Sequence, residues 1–422
     1  MTYTQFVEKE AARIGLDSIA ERIEKNKGRS ALLYCHDDPD GIASGIILKR
    51  LLKKKKVGVI LMIPTNMELP KKRLVDDLRK NPVDMVFVLD KATMGYYDDY
   101  ADIHNGIIVI DHHPLLGEPL KRITVSNPVL DEYRRCSASF VLHILASKCG
   151  EAHEAEDIAS LVGLMGDWAI EPATDDISDY VEPFYESVKG RYGWLLEKIK
   201  SRPTMFDVKQ RKKTTLLSQM TEIIFALGGG GFQYFYNDRD ETLREITDGS
   251  FALRNLEAYL EKPSKFESEN DFLEHLPEKE RAKKMFAYYK EDWECTASKM
   301  RDAKLVKTSD NTDIFVFAGE NVKLMPMVGS VELYTLPAKS EDSLFIMISD
   351  KGTKGFHFSF RSKKGLIHCG NFAHNLAVSF QERYGLDNAA GGGHPCAAEC
   401  RLIKNFPADE IMNEFEKKLA EI

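Results

Sequence analysis

Gly106-Ile107-Ile108-Val109-Ile110 runs directly into Asp111-His112-His113. Five apolar residues rich in β-branched side chains, without polar alternation, read as a strand buried on both faces of a parallel sheet. Three metal-capable side chains stand where that strand stops. Titratable groups crowded together in this way mark a functional site when a cation or an anion occupies the spot.

Two more runs end alike. Ser30-Ala31-Leu32-Leu33-Tyr34-Cys35 leads into His36-Asp37-Asp38-Pro39-Asp40-Gly41, and Met85-Val86-Phe87-Val88-Leu89 leads into Asp90. In open α/β sheets ligands bind outside the carboxyl ends of the strands, so His36, Asp38, Asp40, Asp90 and the triplet Asp111, His112 and His113 should converge there. If the segment after Cys35 is extended, residues 36, 38 and 40 share one face, while Asp37 is a cap or a surface charge. A further candidate is Asp167, at the end of a helical pattern over 158–169 interrupted by Gly163 and Gly166.

The first half of the chain alternates strand and helix, with strands near 30–35, 57–63, 84–90, 106–110 and 121–126. That order predicts an α/β fold with a doubly wound parallel sheet. Helical patterns then run through 180–200 and 208–227. Gly228-Gly229-Gly230-Gly231 cannot sustain a helix and lacks the Lys-Ser/Thr of a phosphate loop, so it reads as a turn. Residues 232–306 are helix-rich and charged, as in an inserted helical arm. Strand patterns return at 314–318, 344–349 and 356–361, before a helix over 371–384. The expected division is 1–190, 191–310 (a helical connector or insert) and 311–422 (a smaller α/β domain).

These motifs resemble the DHH phosphoesterase superfamily: an H/D-x-D-x-D-G motif, a lone strand-end Asp, the Asp-His-His triplet and a later Asp, here His36 to Gly41, Asp90, Asp111 to His113 and Asp167. The C-terminal part resembles the companion DHHA1 domain, through Phe358-Ser359-Phe360-Arg361-Ser362 and the glycine loop Ala390-Gly391-Gly392-Gly393-His394. Within the superfamily the pattern is similar to archaeal RecJ-like nucleases. The resemblance implies a metal-dependent phosphodiesterase acting on single-stranded DNA or RNA as an exonuclease, with two divalent ions, Mn²⁺ before Mg²⁺. It assigns His36 and Asp38 to one ion, Asp40, His112 and Asp167 to the other, and Asp90 as the bridge. Two ions so held can generate a hydroxide from a shared water and stabilise in-line displacement at phosphorus. His113 then faces the scissile phosphate as a donor, and Asp111 orients its histidines. Arg361, Ser362, Gly391, Gly392, Gly393 and His394 are expected to hold the nucleic-acid strand. The alternatives are a phosphodiesterase for short oligoribonucleotides or cyclic dinucleotides, and a scaffold for a helicase or a replication or repair protein.

Composition adds few constraints. The 422 residues suffice for two or three cores, and no apolar run nears the roughly 20 residues that span a membrane. Seven scattered cysteines suggest a reducing compartment, hence a cytoplasmic protein, and offer no zinc-site spacing. The net charge of −8 runs against a nucleic-acid partner. Bound divalent ions would offset part of it, and basic clusters occur at Lys49-Arg50 with 53–56, at 71–73, at Lys209 with 211–213, and at Lys363-Lys364. Any one cluster reads first as a solvated helix face. His104, His143, His153 and His275 fall outside every motif and read as surface or partly buried histidines.

Overall fold

The fold is that of a computed structural model describing residues 1–421 except 65, 67, 208–211, 232, 386–387 and 404–405. By internal packing the chain divides into Met1–Ala287 and Tyr288–Ile422.

The first unit is built on β1 (Ser30–Cys35), β2 (Gly58–Met62), β3 (Met85–Leu89), β4 (Thr93–Met94), β5 (Ile107–Ile110), β6 (Leu115–Leu116) and β7 (Thr124–Ser126). Five of these form one parallel sheet in the order β2-β1-β3-β5-β7, while β4 and β6 pair separately. The continuous apolar runs explain the arrangement: every residue of β3 and β5 is buried, as in a sheet covered on both faces. Helices α1 (Tyr3–Arg13), α2 (Leu16–Lys25), α3 (Pro39–Lys54), α4 (Lys71–Lys80), α5 (Ala138–Lys148) and α6 (Glu154–Gly166) accompany the sheet. The chain runs from β1 out to β2 and back past β1 to β3, the strand-order reversal of a doubly wound sheet. Register then fixes the site. Cys35 pairs with Leu89 and Leu89 with Ile110, so His36, Asp90 and Asp111 leave three neighbouring strands at one level.

Helix α6 leads into a small hairpin, β8 (Ile170–Glu171) and β9 (Asp176–Ile177), and then α7 (Glu182–Lys189), α8 (Gly193–Leu196), α9 (Leu216–Leu227), α10 (Ser250–Glu261) and α11 (Glu269–Glu274). The helical connector or insert expected over 191–310 groups by internal packing with the first unit as far as residue 287. All twelve residues of α9 are buried, and Glu257 and Glu261 of α10 pair with Lys49 and Arg50 of α3 at 2.7 and 2.9 Å. The glycine run does turn the chain, with Gly229, Gly230 and Gly231 at φ of 95°, 62° and 72°. Lys209, Arg211 and Phe232 lie outside the described residues. Helix α12 (Lys279–Met300) runs through the division.

The second unit carries β10 (Lys304–Ser309), β11 (Thr312–Glu320), α13 (Met325–Glu332), β12 (Asp342–Asp350), β13 (Phe356–Ser362), α14 (Cys369–Tyr384), β14 (Ala389–Gly393), β15 (Ala397–Leu402) and α15 (Ala408–Ala420). Its six-stranded sheet runs β10-β11-β12-β13-β15-β14, with only β11 and β12 parallel. Alternation along β13 sends Phe356, Phe358 and Phe360 into a core shared with Phe372 and Phe380 of α14 and Phe415 of α15.

Candidate metal centre at the strand ends

Asp38 caps α3, its Oδ1 accepting from Gly41 N–H at 2.8 Å, with Pro39 at the first helical position. The segment after His36 is therefore not extended. Asp40 sits in the first helical turn, and the shared face expected for residues 36, 38 and 40 is replaced by two separate groupings: His36 with Asp38 and Asp90, and Asp40 with His112 and Asp167. Within each grouping one ligand atom per residue lies within 4.8 Å of the others. A third grouping joins Asp90, Asp111, His112 and His113.

Asp90 reaches both sides. Its Oδ2 lies 3.7 Å from His36 Nδ1 and its Oδ1 lies 3.3 Å from His112 Nε2. A φ of 53° turns the chain sharply at Asp90, a conformation Asp tolerates better than most residues. His112 Nε2 also lies 3.3 Å from Asp167 Oδ2 and 3.8 Å from Asp40 Oδ2. Asp167 caps the C-terminus of α6. Asp40, fully buried, is held from behind by the start of α5: Ala138 N–H donates to its Oδ2 at 2.6 Å and Ser139 N–H to its Oδ1 at 2.9 Å.

Charge bears on what fits here. Burial opposes charge on His36 and His112, yet the neighbouring carboxylates outweigh it and hold both well above the usual imidazole range. Burial, reinforced by Asp90, pushes Asp40 up to about 6, and burial raises Asp167 well above its ordinary value. Asp90 is lowered: burial opposes this, but the nearby imidazoles of His112 and His36 prevail. His36 Nδ1, both carboxylate oxygens of Asp90, His112 Nε2 and Asp167 Oδ2 are buried without a hydrogen-bond partner, a costly state for polar atoms. Carboxylate and imidazole donors so disposed fit divalent ions of the Mn²⁺ or Mg²⁺ kind.

Asp111 is fully buried, and its Oδ1 lies 2.8 Å from His113 Nδ1. Burial opposes the charge on each, but their mutual attraction raises His113 and lowers Asp111. Three neighbours had not been singled out in the sequence. Thr93 donates to Asp111, Asn127 donates to Thr93, and Lys91, fully buried beside Asp90, donates to the carbonyls of Pro64 and Asn66. Asn127 directly follows β7, so the strand-end rule that found Asp90 would have found it too. Two plain readings change. Asp37 is buried, with Gly249 packed against its Cβ, and His143 is buried between Tyr3 and Asp157.

In the second unit the expected anion loop is a strand. Gly391, Gly392 and Gly393 belong to β14, paired with Cys400, Glu399 and Ala398. Glycine is needed for close packing there: a Cβ on Gly391 would lie 2.4 Å from the Ala373 carbonyl of α14. Arg361 is buried, its Nε donating to Ser330 Oγ at 2.9 Å and its Nη1 to the Phe360 carbonyl at 2.9 Å, so its fork is largely engaged within its own unit. Ser362 donates to Asp342 at 2.8 Å. His394 is exposed, while its N–H donates to the Ala397 carbonyl at 2.8 Å. Basic clusters are also engaged: Lys72 and Arg73 pair with Asp76 and Asp77, and Lys364 with Glu341.

Residues 30–165 match the model of the DHH family, N-terminal domain. No curated protein sequence matches the chain. Among solved structures, exonuclease RecJ bound to manganese is similar over 96% of this chain and 94% of its own, with 16% identity and a TM-score of 0.55. RecJ of Thermus thermophilus in complex with Mn²⁺ is similar over 97% of this chain at 16% identity and a TM-score of 0.56, and 55% of its own length is covered. CDC45 from Entamoeba histolytica is similar over 96% of this chain and 98% of its own, at 12% identity and a TM-score of 0.51. These likenesses establish a shared fold. No helix among the described residues is long and apolar enough to cross a membrane.

Proposed function

We propose that this chain, whose residues 30–165 form a DHH-family N-terminal domain, is a metal-dependent phosphodiesterase that trims single-stranded nucleic acid in the manner of a RecJ-like exonuclease. The observation that carries the reading is the set of buried ligand atoms on His36, Asp90, His112 and Asp167 that face one another without a hydrogen bond, with Asp90 turned toward both groupings. His36, Asp38 and Asp90 would hold one divalent ion, and Asp40, His112, Asp167 and Asp90 a second. When bound, such ions activate water and neutralise charge on a phosphate diester. The chain supplies the rest. Helix α5 fixes Asp40 through two backbone N–H groups, which keeps that carboxylate in place before any ligand arrives. His113, with Nδ1 held by Asp111, turns its other nitrogen to the scissile phosphate as a donor.

The C-terminal unit is proposed to hold the strand through His394 and the outer edge of β14, with Arg361 and Ser362 shaping that surface from within. The likeness to CDC45 leaves a replication or repair partner compatible with this chemistry. A purely scaffolding role is disfavoured because every acidic and imidazole position of the motif set is occupied. The test is incubation with Mn²⁺ and end-labelled single-stranded DNA, single-stranded RNA and dinucleotides. Shortening ladders on long strands, abolished by a chelator, are expected. Cleavage confined to dinucleotides would favour the oligoribonuclease alternative, and no cleavage of any substrate would refute the enzymatic reading.

A further inference from the structure

The Asp111–His113 pair ends a hydrogen-bond chain that starts at Asn127. The amide of Asn127 is oriented by what it faces: its Oδ1 accepts from Val129 N–H at 2.9 Å, and its Nδ2 donates to the His113 carbonyl at 2.8 Å and to Thr93 Oγ1 at 2.9 Å. A flipped amide would set oxygen against a carbonyl and N–H against N–H, so the partners decide the orientation. The Thr93 hydroxyl therefore accepts from Asn127, and its single proton goes to Asp111 Oδ2 at 2.7 Å. Asp111 Oδ1 is left to accept from His113 Nδ1 at 2.8 Å. Thr93 and Asp111 are fully buried and Asn127 nearly so. Thr93 lies on β4, whose pairing with Leu115 of β6 clamps the loop just past His113.

We infer that Asn127 and Thr93 are positioning residues. They lock Asp111 so that Nδ1 of His113 is committed to it, leaving Nε2 as the ring nitrogen that meets the phosphate. The inference rests on the phosphodiesterase reading. Thr93 makes no hydrogen bond to His36, Asp38, Asp40, Asp90, His112 or Asp167, the residues proposed to hold the two ions, so it acts through Asp111 alone. Removing its hydroxyl should loosen the imidazole without emptying the site.

The experiment combines kinetics with a spectrum that needs no turnover. Thr93→Val, Thr93→Ser and Asn127→Asp are made in the full chain, each with and without His113→Ala, and assayed with Mn²⁺ on an end-labelled single-stranded oligonucleotide. Mn²⁺ titrations run alongside. Thr93→Val should lower kcat about ten- to a hundred-fold, the usual effect of losing a partner that orients a functional histidine, with Mn²⁺ affinity unchanged. KM should stay within about two-fold, because the lost interaction matters in the transition state. Thr93→Ser should restore the rate, and in the His113→Ala background Thr93→Val should add less than about two-fold, since both changes act on one group. Asn127→Asp, which keeps the side-chain size but faces Thr93 with an acceptor, should reproduce the kcat loss and serves if Thr93→Val fails to fold. In histidine-selective ¹⁵N spectra, the protonated, hydrogen-bonded Nδ1 signature of His113 should be present in the wild type and lost in Thr93→Val. Equal kcat losses with and without His113, or an unchanged nitrogen signature, would overturn the inference. Should the wild type cleave nothing, the phosphodiesterase reading falls, and the nitrogen spectrum alone decides the positioning.

Discussion

Gly163→Ala sets two physical effects against each other with opposite signs. Gly163 lies inside α6, where propensity alone favours alanine by about 1 kcal/mol. The site reverses that expectation. A Cβ there would stand 2.0 Å from Ser139 Oγ, 2.9 Å from Ser139 Cβ and 2.4 Å from Asp40 Oδ1. Rotating the serine hydroxyl does not clear its own Cβ, and Asp40 cannot recede without breaking its bonds from Ala138 and Ser139 N–H. Overpacking costs about 1–3 kcal/mol and disturbing a hydrogen bond to a charged group about 1.5–3 kcal/mol. Less the propensity gain, a net destabilisation of about 1.5–5 kcal/mol follows. Urea denaturation measures it, and a calorimetric Mn²⁺ titration should show weakened binding because Asp40 is displaced. Gly166→Ala is the control: its Cβ meets nothing nearer than Pro39 Cβ at 3.1 Å, and its stability should stay within about 1 kcal/mol of the wild type. A Gly163→Ala protein about 1 kcal/mol more stable than wild type, with normal Mn²⁺ affinity, would refute the reasoning.

Asp90→Ala should abolish Mn²⁺ binding altogether, because one carboxylate faces both groupings, whereas Asp38→Ala should spare the second ion; calorimetric stoichiometries distinguish the two, and an Asp90→Ala protein that keeps one tight site would contradict the shared role. Mn²⁺ affinity should weaken as pH falls through about 6, where Asp40 takes up a proton and competes with the cation, with proton release on binding measurable in buffers of different ionisation enthalpy. Asp157 is held below its ordinary 3.8: burial opposes this, but the hydrogen bond with His143 and the charges of His143 and Arg191 prevail. Its stabilising contribution is complete above about 3.8 and is lost as pH falls through the lower folded value. Asp157→Asn should therefore destabilise the protein by about 1–3 kcal/mol at neutral pH and flatten its acid limb in pH-dependent urea midpoints.

The sequence by itself determined the parallel sheet and the gathering of acidic and imidazole side chains at its strand ends. Both follow from local pattern: unbroken apolar runs can be satisfied only between two covered layers, and side chains just past parallel strands must gather at one edge. That is why His36, Asp90, Asp111, His112 and His113 could be placed from residues alone. What remained hidden depends on contacts between segments far apart in the chain. Asp40 parts from His36 and Asp38 because α3 begins at Pro39 and the start of α5, 98 residues on, claims its oxygens. Helices α9 to α11 look like a charged insert in one dimension, yet they belong to the first core, since all of α9 is buried and α10 pairs with α3. Gly391 to Gly393 read as a loop, yet they form a strand, and the nearness of Ala373 of α14 shows why there is no room for a side chain at Gly391. The path from Asn127 through Thr93 to Asp111 joins residues 34 and 18 positions apart, and no local periodicity marks it. Tertiary structure decided these points because a buried polar atom takes whichever partner the packing of distant segments brings within reach.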